Sequence, residues 1–214
     1  MIKSVDGCDG SSLETIKKTA AVKIFETAQD LFYRRGVRAV GVDEIVCEAG
    51  VTKPSLYRAF KSKDDLVAAC LRESAREGRE AIAGAIAAAG ADPRARMDAL
   101  IDHFATKLSA PEFRGCLMSN IAVEMAEPGH PGREVVEQCK TTTRATIVTL
   151  AQDIGVDDAH GLADGLILVI EGAIASHHVF GSQGPAHSLV ATCNALITSY
   201  LERSVRAVTA PEPA

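Results

Sequence analysis

VDEIVCEAGVTKPSLYRAFKSK, residues 42–63, decides how the rest of this 214-residue chain is read. Val42, Ile45, Val46 and Ala49 fall on one side of a helical wheel, so the stretch opens as a short amphipathic helix. Gly50 stands where a helix C-terminus favours positive φ and ends it. Thr52 is placed to cap the next helix, with Pro54 in its first turn, where no intrahelical N–H is lost. That second helix turns Val51, Leu56 and Phe60 inward and leaves Lys53, Ser55, Tyr57, Arg58 and Lys61 outside. Two helices joined by a short glycine-containing turn, the second rich in basic and hydroxyl side chains, predict a helix-turn-helix.

Charge supports that reading only when it is partitioned. The whole chain is acidic, with a formal net charge of −5. Residues 1–63 carry 11 Lys/Arg against 8 Asp/Glu, whereas the remainder carries 12 against 20. Within 52–63, Lys53, Arg58, Lys61 and Lys63 have no acidic residue among them, so the positive field is focused where a phosphate backbone would lie.

Composition narrows the class further. Ala, Leu, Ile and Val dominate and tryptophan is absent, which predicts an all-α chain. Cys8, Cys47, Cys70, Cys116, Cys139 and Cys193 are scattered without a CxxC, so neither a zinc finger nor a disulfide framework is expected. No GxGxxG, P-loop, HExxH or GxSxG pattern occurs, and neither enzymatic activity nor a cofactor is expected. Residues 1–12 lack the apolar run of a signal peptide. The uncharged stretch 172–201 is broken by Gly181, Gly184 and Pro185 and holds three histidines, which argues against a membrane span. These features predict a soluble, reduced, cytoplasmic protein.

In chain order, a disordered lead-in over 1–14 gives way to an amphipathic helix over 15–35, carrying Ile24, Phe25, Ala28, Leu31 and Phe32 and ended by Gly36. After the helix-turn-helix, Ser62, Lys63, Asp64 and Asp65 form a capping box opening a long helix to about 88. Further helices are expected from Asp92 and Pro93 to before Pro111, over 114–126, over 132–154, over 157–180 and over 186–208, with a tail at 209–214. The helix at 157–180 is apolar nearly all round, so it must be covered on two sides. Paired with the last helix, it predicts a four-helix interface in a symmetric dimer; a helix sandwiched inside one monomer is the alternative.

The stretch VDEIVCEAGVTKPSLYRAFKSKDDLV resembles the signature of tetracycline-repressor-like (TetR-family) transcriptional regulators. The resemblance is carried by Ile45, Ala49, Gly50, Val51, Leu56, Tyr57, Phe60, Lys63 and Leu66, after a helix with Phe32 and Gly36, and covers residues 15–75. It implies a helix-turn-helix DNA-binding domain over 15–63 and a ligand-binding and dimerisation domain over 64–208. It also implies a homodimer on a double-stranded DNA operator, acting as a repressor that a small-molecule effector releases. By position, Thr52, Lys53, Ser55, Tyr57 and Lys61 would be the DNA contacts, Thr52 and Tyr57 holding phosphates and Lys53 and Ser55 reaching base edges. Arg58 is a further candidate, and Lys63 would touch backbone phosphate or the start of the fourth helix. Val40 and Gly41 stand where the family often has a hydroxyl, so a contact at Gly41 must come from backbone N–H groups. Pro54 departs from the small flexible residue often found there.

The helices over 97–180 are expected to enclose the effector, with Phe104, Met118, Ile121, Met125, Ile147 and His178 as candidate liners. Cys116 is a candidate redox thiol with Arg114 nearby, or else a buried small hydrophobe. His103, His177 and His178 with Glu171 lack paired i, i+4 ligands, so no metal site is expected. The competing reading is an all-helical thiol sensor or enzyme whose N-terminal helices contact protein and not DNA.

Overall fold

A computed structural model describes residues 18–125, 127 and 129–209. The lead-in 1–14 and the tail beyond residue 209 lie outside the described residues. The chain is all-α: among the described residues there are nine α-helices, two 3-10 turns and no strand.

Helix α1 (Ala20–Arg35) starts at Thr19, whose hydroxyl accepts from the Val22 N–H, and ends at Gly36 with φ +82°. It buries Ile24, Ala28, Leu31 and Phe32, the stripe its periodicity predicts. Helices α2 (Val42–Glu48) and α3 (Lys53–Ala59) form the helix-turn-helix, with Gly50 at φ +62° between them. Thr52 occupies the N-cap position but makes no capping bond to backbone. Its hydroxyl pairs instead with that of Ser55 at 2.9 Å, a correction to the expected cap.

Helix α4 (Lys63–Ala88) opens on Ser62, whose hydroxyl accepts from the Asp65 N–H at 3.0 Å. Its first half places Leu66, Val67, Cys70 and Leu71 in a core shared with Phe32, Ile45 and Leu56, and its far end places Ile86 in a second core. One helix therefore runs from the helix-turn-helix core into the C-terminal bundle. The second core is built from Met97, Leu100 and Ile101 of α5 (Pro93–Ser109), Ile147 and Leu150 of α7 (Pro131–Asp153), Leu162 and Leu166 of α8 (Ala159–Phe180), and Cys193 and Ile197 of α9 (Leu189–Thr209). Full burial of each large apolar side chain here stabilises by about 1.5–3 kcal/mol. Helix α9 begins later than expected because Pro185–Ser188 forms a 3-10 turn before it.

Helix α6 (Leu117–Glu124) is shorter than predicted and packs elsewhere. Met118, Ile121 and Met125 join the N-terminal core, alongside Val135 and Val136 of α7. That core thus extends well past the helix-turn-helix. Among the described residues, α8 is the one helix long and apolar enough to cross a membrane. It packs on α7 and α9, while Leu168 and Val179 on its other face are 74% and 75% exposed.

Candidate nucleic-acid interface and the adjoining cavity

Leu56, fully buried, anchors α3 to α1 and α2, so the opposite side of α3 faces solvent. Lys53, Tyr57 and Arg58 are exposed there, Lys61 is exposed just past the helix end, and Ser55 is half-buried against Thr52. Tyr57 is 49% exposed, so its ring does not pack into α1 as an ordinary core tyrosine would. The Lys53 ammonium lies 2.8 Å from the Asp43 carboxylate, whose hydrogen bond and charge hold it protonated above the usual lysine range. Gly41 occupies the N-cap of α2 in extended conformation, without a side-chain cap, and Asp43 and Glu44 follow in the first turn. Lys63 is half-buried and donates to the Val37 carbonyl at 2.6 Å. In the free protein its ammonium therefore ties the loop between α1 and α2 to the start of α4. Neither Asp43 nor the Val37 carbonyl was legible as a partner in sequence, because both pairings cross between elements.

A cavity of about 870 Å³ is walled by α1, α4, α5, α7, α8 and the segment leading into α6. Phe104, Met118 and Ile147 line it. Ile121 and Met125, expected beside them, instead fill the N-terminal core, because α6 packs against α7 and α4. His178 is also displaced from the cavity; it is exposed, with its ring against Gly115. Tyr33, Lys140 and Glu171 line the cavity as well and had not been singled out as liners.

Cys116 lies on the cavity wall at the N-cap of α6, and its neighbour is Lys140, not Arg114. Lys140 Nζ is 3.6 Å from the Cys116 sulfur and 2.9 Å from the Ser119 hydroxyl, and it pairs with Glu171. Ser119 in turn donates to the other Glu171 oxygen at 2.7 Å. Burial opposes the charge on Lys140, but Cys116 and Glu171 beside it outweigh that and raise its pKa. Arg114 is occupied through its backbone, its N–H donating to the Tyr33 hydroxyl at 2.9 Å and its carbonyl accepting from Asn120. Among the described residues, no three His, Cys, Asp or Glu side chains converge as metal ligands.

The cavity and the N-terminal helical end are joined by α6. Leu117 and Met118 meet the cavity at its start. At its end, the Glu124 carboxylate accepts from the Arg38 N–H at 2.9 Å and lies against Gly36, where a Cβ would come within 2.5 Å of it.

A profile described as bacterial regulatory proteins, tetR family, matches residues 24–70. A TetR-family transcriptional regulator from Streptomyces coelicolor superposes with a TM-score of 0.81 at 27% identity, over 85% of this chain and 90% of that one. A putative TetR transcriptional regulator from Streptomyces avermitilis is 31% identical over 86% of this chain and 98% of its own, with a TM-score of 0.73. The transcriptional activator FasR of Mycolicibacterium smegmatis is 49% identical over 45 residues, 21% of this chain and 20% of FasR. The chain matches the first curated relatives over less than a third of their length.

Proposed function

The chain belongs to the tetR family of bacterial regulatory proteins, and from that membership we propose a cytoplasmic homodimeric repressor released from a double-stranded operator by a small-molecule effector. Its family and fold are those of DNA-binding transcriptional regulators, which are not enzymes. The observation that carries the proposal is the outer side of α3 and the turn after it: Lys53, Tyr57 and Arg58 of the helix and Lys61 just beyond its end are all exposed, with no acid on that helix. Each α3 enters the major groove, where Lys53 and Ser55 reach base edges and Thr52, Tyr57, Arg58 and Lys61 hold phosphates. At Gly41 the backbone N–H groups opening α2 meet the phosphate chain, and Lys63 sets the loop beside them.

Dimerisation is supported by the unpacked side of α8. Leu168 and Val179 are exposed at helical spacing beside exposed Ala191 and Ala195 of α9, the surface from which two copies would build a four-helix interface. The cavity takes the effector, and a coupling on the order of 1–3 kcal/mol between it and the operator suffices for a switch. Replacing both Tyr57 and Lys61 by alanine should abolish operator binding in an electrophoretic shift while leaving helicity and dimerisation intact. Unchanged affinity would sink the assignment.

A thiol response at Cys116 is a second reading, favoured by the Lys140 N–H aimed at its sulfur. Cys116→Ser should then remove any oxidant-induced loss of DNA binding; persistence of that response would exclude Cys116 as its origin.

A further inference from the structure

On the cavity wall, one cluster of polar side chains is knit together from three helices. Lys140 of α7, Glu171 of α8 and Cys116 at the start of α6 all line the cavity, among apolar liners that include Phe104, Phe113, Ile147 and Ile170. The Lys140 and Glu171 side chains each keep 35% of their surface accessible, and Cys116 is half-buried. Lining the cavity and accessible, the three are within reach of a ligand. Lys140 has three N–H bonds. One goes to a Glu171 oxygen, one to the Ser119 hydroxyl at 2.9 Å and the third to the Cys116 sulfur at 3.6 Å. Ser119 gives its own proton to the other Glu171 oxygen at 2.7 Å. Burial opposes the charge on Lys140, but Cys116 and Glu171 outweigh it, so all three donors persist at neutral pH. Carboxylate and hydroxyl oxygens are good acceptors, whereas a thiol sulfur is a weak one. The third N–H is therefore the one that a better acceptor can claim.

Charge narrows what can bring that acceptor. Lys140 and Glu171 cancel, so a charged head group beside them meets a like charge as closely as an opposite one, after losing its hydration. Elsewhere on the wall, Glu26 and Asp30 are paired with Lys18 and Arg34. Glu77 and Glu112 are matched in number by Arg79 and Lys107, all four exposed. With those partners included, the charged liners sum to zero.

We propose that the cavity binds an uncharged, largely apolar molecule through a carbonyl oxygen (of a ketone, ester or amide) that accepts the Lys140 N–H now directed at Cys116. A carbonyl needs nothing further from the wall, whereas a hydroxyl brings a proton that must also be answered. Taking that N–H from Cys116 removes one of the bonds tying the start of α6 to α7. Occupancy is thereby registered at the helix whose other end holds the Arg38 N–H. The proposal rests on the reading of this cavity as the effector site; its binding chemistry is measured without DNA.

The test uses the full chain and five probes of similar shape: benzophenone, diphenylmethane, diphenylmethanol, diphenylacetate and 2,2-diphenylethylammonium. Benzophenone labelled with carbon-13 at its carbonyl should show, when bound, an infrared stretching band below its frequency in hexane. In the charge-neutral Lys140→Met/Glu171→Gln variant that band should move back toward the hexane value. Calorimetry on the variant should show benzophenone weakened about two- to tenfold, the range one net hydrogen bond supplies, with diphenylmethane unchanged. Diphenylacetate and the ammonium should bind the wild-type chain more weakly than benzophenone does. The wild-type band decides even if the variant fails to fold: a band at the hexane frequency overturns the proposal. A shift that survives the variant, the alcohol binding more tightly than the ketone, a charged probe binding best, or no binding of benzophenone would each overturn it too. DNA retention of the unliganded protein is scored separately. Retention without the described probe binding overturns the ligand class and leaves the regulator reading standing. Probe binding as described, without DNA retention, supports the site and overturns the regulator reading.

Discussion

Lys53 meets Asp43 across the turn of the helix-turn-helix, and both side chains are well exposed. An exposed pair of this kind contributes little to folding. Its effect on DNA is larger, because Asp43 offsets the charge of a side chain assigned to the groove and adds its own repulsion to phosphate. Asp43→Asn should tighten binding to non-specific duplex several-fold at low salt, measured by fluorescence anisotropy, with little change in Tm. Gly36 is a second residue whose neighbours decide its worth. With φ +82° and the Glu124 carboxylate where a Cβ would go, Gly36→Ala should destabilise by about 1–3 kcal/mol, visible in chemical denaturation. The thiols differ as sharply. Burial pushes Cys70 up to about 12 and Cys193 to about 11, so both stay protonated at pH 8, whereas Cys47 is exposed. Brief iodoacetamide treatment at that pH should label Cys47 and spare Cys70 and Cys193, as read by peptide mass spectrometry.

Among the helices, α4 and α6 reach from the cavity to the helix-turn-helix core, the path the proposed coupling would take. Helix α4 crosses from one core into the other, and Ser74 and Ile82 along it also line the cavity. Helix α6 is short, yet it has the cavity at one end and the Arg38 N–H at the other. Its contact with the loop between α1 and α2 is a charge-assisted hydrogen bond, and removing the carboxylate leaves that N–H without its acceptor. Glu124→Ala should therefore lower stability by about 1–2 kcal/mol and weaken the effect of an effector on DNA affinity more than it weakens ligand binding. Titrating DNA with and without ligand separates the two; equal losses in both would argue against α6 as the connection. Its sequence pattern did not reveal this role. Met118, Ile121 and Met125 read as generic apolar spacing, and periodicity identifies which face is buried without naming the element it is buried against.

For the whole molecule, the proposed association turns on the uneven charge and the bare side of α8. Two copies presenting Arg58 and Lys61 would neutralise about four phosphates, and affinity should then fall about a hundredfold between 50 and 200 mM salt. Replacing Leu168 and Val179 together by aspartate should convert the dimer to monomer in analytical ultracentrifugation while the monomer keeps its helicity. Operator affinity should fall with it, since two half-sites are no longer read by one particle. A dimer that persists would move the interface away from α8.

Local chemistry determined most of the helices. Gly36, Gly50, Ser62, Asp92 and Pro93 act on their own neighbours in the chain, so element boundaries such as the start of α4 at Lys63 were legible from sequence. The outward side chains of α3 were legible for the same reason: Leu56 inward and Lys53 and Tyr57 outward follow from helical geometry alone, whereas Lys61 lies past the helix end at Ala59. Tertiary structure alone decided the cavity. It put Phe104, Met118 and Ile147 on one wall, withdrew Ile121, Met125 and His178 from it, and set Lys140 against Cys116 and Glu171. Those pairings join residues far apart in sequence, and they depend on how rigid helices cross, which no local pattern encodes.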